Sequence, residues 1–125
     1  GAPWRVAPYE RFDAWRLSHE LVLAVYRLTA AWPVHERYGL VSQVRRAAVS
    51  IASNIAEGAA KRGHREFRRY VDISLGSLSE LTYLLRLALD LGYLTEDDHR
   101  STEQLRNRTG QMTWRLYQAI SAKAR

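Results

Sequence analysis

SIASNIAEGAAKRGHREFRRY, residues 50–70, joins two unlike halves. The first is small and nearly neutral. The second carries Lys61, Arg62, Arg65, Arg68 and Arg69 against a single acid, Glu66. Apolar positions Leu40, Val44, Ala47/Ala48, Ile51, Ile55 and Ala59 recur at steps of three and four, so a helix runs into this stretch from Leu40. Its alanines favour the same conformation. Arg62-Gly63-His64 interrupts the pattern, with Gly63 expected to supply the left-handed residue that ends a helix. The period resumes through Phe67, Val71, Ser74, Leu78, Leu81, Leu85 and Ala88. The stretch is therefore the bend of a helical hairpin.

The same spacing extends outward. Phe12, Trp15, His19, Val22 and Tyr26 form one stripe, and Leu17, Leu21, Ala24 and Leu28 a second. Two stripes on one helix suggest burial on two sides. Pro33 closes this segment, and residues 34–39, which contain Gly39, form a connection. The third helix stops near Gly92. Thr95, with Asp98 three residues on, reads as an N-cap. The fourth helix follows through Leu105, Thr109, Met112, Leu116 and Ala119, with Trp114 and Tyr117 on another face. No segment alternates as a strand would. Short connections make sequential helices antiparallel neighbours, so the expected fold is all-α, an antiparallel up-down-up-down four-helix bundle. Residues 1–9 read as an N-terminal extension, with Gly1-Ala2 read as an expression scar, and residues 10–125 as a single bundle domain.

The hairpin helices carry a second, polar stripe. On one it is Gln43, Arg46, Ser50, Asn54 and Glu57; on the other Arg69, Asp72, Gly76, Ser77 and Glu80. With the turn centred on Gly63, facing residues have numbers summing to 126. That sets Arg46 against Glu80, Ser50 against Gly76, Asn54 against Asp72 and Glu57 against Arg69. The expectation is a half-buried polar network with close backbone approach at Ser50 and Gly76, since charges are costly to bury unpaired.

The 125 residues suit one domain. Cysteine is absent, which rules out disulfides and thiolate metal sites and fits a cytoplasmic location. No apolar run has the ~20 residues of a membrane helix, so no membrane partner is expected. The four histidines, His19, His35, His64 and His99, are dispersed, without zinc-ligand spacing. No phosphate-binding glycine loop ends in Gly-Lys-Ser/Thr, and no Arg-His pair has the spacing used by some helical toxin RNases. The expectation is therefore no catalytic residue, no cofactor and no metal. The formal charge is +6, which favours an acidic partner, nucleic acid above all.

YGLVSQVRRAAVSIASNIAEG (Tyr38 to Gly58), GSLSEL (Gly76 to Leu81) and LGYL (Leu91 to Leu94) together resemble the 23S rRNA intervening-sequence proteins, over nearly the whole chain from Phe12. The resemblance implies an antiparallel four-helix bundle that assembles as a ring-like homopentamer. It also implies a distant relation to the accessory protein of diversity-generating retroelements, a basic pentamer that binds nucleic acid and partners a reverse transcriptase. The family motif falls on Arg45, Arg46, Ser50, Asn54, Glu57, Gly58, Gly76, Ser77 and Glu80, with Asp72 joining them in the hairpin register. Ala52 stands where the family often has Pro, and Thr82 where it often has an acid. The second apolar stripe becomes a subunit interface on this reading, with Trp15, Trp32, Tyr38, Tyr83 and Trp114 as anchors; alternatively these residues cap the ends of the monomer core.

Lys61, Arg62, Arg65, Arg68 and Arg69 are the nucleic-acid-binding candidates, repeated around the ring so that weak phosphate contacts add. The expected partners are a second copy of the chain and RNA or another nucleic acid. The competing expectation is a structural scaffold that recruits a protein and has no nucleic-acid role.

Overall fold

The computed structural model describes residues 7–124, and the first residues of the expected N-terminal extension, Gly1 to Val6, lie outside that range. Four helices carry the chain: α1 (Asp13–Thr29), α2 (Leu40–Ala59), α3 (His64–Asp90) and α4 (Glu96–Lys123). Short 3₁₀ turns at Pro8–Arg11 and Val34–Glu36 precede α1 and α2. No strand occurs among the described residues. Each helix packs on two others, in the cycle α1, α2, α3, α4 and back to α1.

The α2 and α3 core lines fall where the spacing predicts. Val44, Ile51 and Ile55 on α2 and Val71, Leu81 and Leu85 on α3 are all fully buried. Each such side chain contributes roughly 1.5–3 kcal/mol by leaving water, before the chain entropy it opposes. Two contacts fix how the helices cross. Ser74 Oγ donates to the Ile51 carbonyl at 2.8 Å, and Ser50 Oγ lies 2.8 Å from Ser77 Oγ. They fall one residue either side of the expected register.

The other two helices differ from expectation. The buried line of α1 is Ala14, Ser18, Leu21, Val25 and Thr29; it shares Leu21 with the second predicted stripe and otherwise runs between the two. Ser18 and Thr29 enter the core because each hydroxyl donates to a carbonyl of its own helix, Trp15 and Val25, both at 2.8 Å. The buried line of α4 is Thr102, Thr109, Thr113 and Ile120; of the expected line only Thr109 is fully buried, and Ala119 is exposed. All three threonines likewise donate to the carbonyl four residues back. A hydroxyl satisfied inside its own helix can be buried at little cost.

Thr95 caps α4 as expected, accepting from the Asp98 N–H at 3.0 Å. Gly63 has φ +88° but ψ 150°, so it is not the left-handed helical residue expected; it stands just before α3, and Ala60 closes α2. At the far end, Glu36 does the work of a cap for α2. Its Oε1 accepts from the Leu40 N–H (3.2 Å) and its Oε2 from the Tyr93 hydroxyl (2.8 Å). Trp32, 5% exposed, belongs to the core cluster, so it is no interface anchor.

Candidate nucleic-acid interface

The α2–α3 turn is built around a close approach. A Cβ on Gly58 would sit 2.7 Å from Tyr70 Cβ and 2.9 Å from Phe67 Cδ1. Only glycine lets α2 come this near to the start of α3. Phe67 in turn meets Phe12 edge-on at 5.4 Å, so the chain's N-terminal side is drawn to the same end of the molecule.

Lys61, Arg62 and Arg65 are exposed here and Arg68 is half-buried. None of the four is in an ion pair among the described residues. Arg69 is different. Its Nη2 lies 3.2 Å from Glu66 Oε2, and this hydrogen bond and opposite charge raise the Arg69 pKa further above its ordinary value. Tyr70 collects two cations over one ring, Lys61 Nζ at 5.4 Å and the Arg69 guanidinium at 4.7 Å. A shallow groove lined by Arg65, Arg68, Arg69 and Tyr117 also admits Glu66 and Asp72.

The fold adds cations that the linear pattern does not group. Arg11, His64 and Lys123 line one groove with Phe12 and Phe67. Arg11 and Arg115 line the next. Arg11, Arg115 and Lys123 come from opposite ends of the chain, so no local run of charge marks them. Together with the turn they make one end of the molecule basic.

The polar stripe is not the network expected. Ser50, Asn54 and Ser77 are half-buried and linked: Asn54 Nδ2 donates to the Ser50 carbonyl at 2.8 Å and to Ser50 Oγ at 3.0 Å. Asn54 therefore answers its own helix rather than Asp72. Arg46, Glu57, Asp72 and Glu80 are exposed, and neither Arg46–Glu80 nor Glu57–Arg69 forms an ion pair among the described residues. Arg69 takes Glu66, three residues away on the same helix, the neighbour a helix surface offers most readily. Gly76 is exposed and a Cβ there would meet nothing within 4 Å, so the close approach lies at Gly58 and not at Gly76. Arg45 is half-buried and turned to α1, its Nε donating to Thr29 Oγ1 at 2.9 Å.

Among the described residues no three His, Cys, Asp or Glu side chains gather as a metal ion would require. No helix there is long and apolar enough to cross a membrane.

A crystal structure of a protein with unknown function from the S23 ribosomal protein family of Bacteroides thetaiotaomicron is similar, with a TM-score of 0.76 over 83% of this chain and 97% of that one. At 21% identity the likeness concerns the fold. No curated protein matches the chain. The family model described as 23S rRNA-intervening sequence protein matches residues 10–115, most of the sequence and all but the end of the last helix. The chain belongs to the 23S rRNA-intervening sequence protein family.

Proposed function

We propose that this is a cytoplasmic, non-enzymatic RNA-binding or ribonucleoprotein accessory protein. In this reading the four helices form an antiparallel up-down-up-down bundle that assembles as a ring-like homopentamer and repeats its basic end around the ring. The carrying observation is the cluster at that end: Lys61, Arg62, Arg65 and Arg68 without carboxylate partners among the described residues, joined by Arg11 and Lys123. Such a surface attracts phosphates without reading sequence. The crossing contacts of α2 and α3 support the antiparallel arrangement. A groove between α3 and α4, floored by Gly76 and Gly110 and flanked by Trp114, offers a second copy somewhere to insert.

The test is RNA binding by fluorescence anisotropy across a salt series, with native mass from light scattering. Four phosphate contacts per subunit give a log–log salt slope of about −3 for a single strand, at roughly 0.7 per contact. Replacing Lys61, Arg62, Arg65 and Arg68 together by Ala should remove most of that slope and leave the mass unchanged. An affinity indifferent to salt and to these changes would sink the proposal. The scaffold reading keeps one supporting observation, the 91% and 64% exposure of Tyr38 and Tyr83. Capture of one specific protein that survives nuclease treatment would favour it.

A further inference from the structure

A groove of about 780 Å³ lies away from the basic turn, between α1, the connection before α2, and the outer face of α2. Three arginines line it, Arg37, Arg45 and Arg46, and no carboxylate does. None of the three is in an ion pair among the described residues. Arg45 is the built element. Its Nε is bonded to Thr29 Oγ1 at 2.9 Å, and its guanidinium lies 4.4 Å over the Tyr26 ring. It is half-buried with only neutral partners. A partly desolvated cation in such surroundings gains most from an anion brought to it. The planar fork carries five donors, and a phosphate can take those left over.

Beside the arginines stands Tyr38, 91% exposed, on a short connection with no packing role. Every base has a face that stacks on such a ring. Three hydroxyls, those of Ser42, Ser50 and Ser53, and the side chains of Val41 and Val49 complete the lining. Arg and Tyr are also common where proteins bind one another, but serine is depleted there; Ser, Arg and Tyr together suit phosphate, sugar and base.

We propose that this groove binds a nucleotide unit, with the phosphate held by Arg37, Arg45 and Arg46 and the base stacked on Tyr38. The unit is either free or part of a single strand. The site is separate from the basic end and does not depend on it.

Tyr38→Ala and the pair Arg37→Ala/Arg46→Ala test it, because these side chains are exposed and their loss leaves the core intact. The probes are a labelled mixed-sequence single-stranded RNA ten-mer, the corresponding duplex, and ATP as competitor, with native mass recorded for each variant. Losing one stacked base corresponds to a fall in affinity of roughly 5- to 140-fold. The expected result is a fall of about tenfold or more for the single strand, with duplex binding held within about twofold. Competition by ATP would identify a free nucleotide as sufficient; its absence, with the strand still lost in the variants, would identify the strand as the ligand. Parent affinity for both strand and ATP in both variants would overturn the proposal. So would a drop in native mass at unchanged affinity, which would make the groove a contact between copies. Single-strand binding that survives the four-fold change at the turn but is lost in the groove variants would leave this site standing and refute the basic end.

Discussion

Replacing Gly58 by Ala should destabilise the protein, although alanine is the better helix former. The new Cβ would lie 2.7 Å from Tyr70 Cβ, 2.9 Å from Phe67 Cδ1 and 3.3 Å from the Phe67 carbonyl oxygen. Tyr70 Cβ and that oxygen belong to or adjoin the α3 backbone, so no side-chain end can swing aside. The helices themselves must part. Overpacking a tight site costs about 1–3 kcal/mol, and these distances put Gly58 at the upper end. Helix propensity returns about 1 kcal/mol, leaving a net loss of about 2 kcal/mol. For a domain of this size that is a fall in Tm of roughly 6–10 °C. Gly76→Ala is the matched control, since its Cβ would meet nothing within 4 Å; it should gain about 0.5–1 kcal/mol. Urea and thermal unfolding at two protein concentrations would read both, separating any contribution from assembly. A Gly58→Ala protein as stable as the parent would refute the close-approach argument for this turn.

Ser74→Ala removes the bond to the Ile51 carbonyl and should cost about 1 kcal/mol in urea unfolding. Joint replacement of Thr109 and Thr113 by Val should be neutral or stabilising by the same assay, because both hydroxyls serve only their own helix; a loss above about 1 kcal/mol would reveal another partner. Stability should also depend on Glu36 and Tyr93. The Tyr93 hydroxyl, then the Leu40 N–H, and more weakly His35, hold the Glu36 carboxyl below its ordinary value, while Glu36 raises the Tyr93 phenol. A depressed carboxyl stabilises the fold above its unfolded value, about pH 4.3, and that contribution fades as pH falls through the folded value. A raised phenol stabilises below about pH 10 and loses this as pH rises further. Tyr93→Phe should therefore flatten both limbs of a plot of Tm against pH.

The α2–α3 hairpin was legible because its core positions are apolar and regularly spaced, from Val44 to Ile55 and from Val71 to Ala88. The core lines of α1 and α4 were legible only at Leu21 and Thr109, because much of the rest is Ser18, Thr29, Thr102 and Thr113. A pattern scored on polarity treats those residues as surface, while their hydroxyls are spent on the helix backbone. The hairpin register was legible to within one residue, but the charged pairs drawn from it were not. Long side chains on outer positions reach neighbours along their own helix, as Arg69 reaches Glu66, more easily than across a groove. The basic turn stood out as a run of charge. Arg11, Arg115 and Lys123 did not, since only the fold brings them to that end.

The threonine face of α4 has a mechanical consequence. Three hydroxyl-bearing residues and Ile120 are all that this helix buries completely or nearly so, so apolar burial anchors it less than it anchors α2 or α3. Yet α4 delivers Tyr117 to the groove of Arg65 and Arg68, and Lys123 to that of Arg11 and His64. A polyanion laid across that end would bridge the helix that buries the fewest apolar side chains to the α2–α3 hairpin. Its grip would then be felt as slower amide exchange along the last turns of α4, so that the ligand acts as a clasp on the fold as well as a guest.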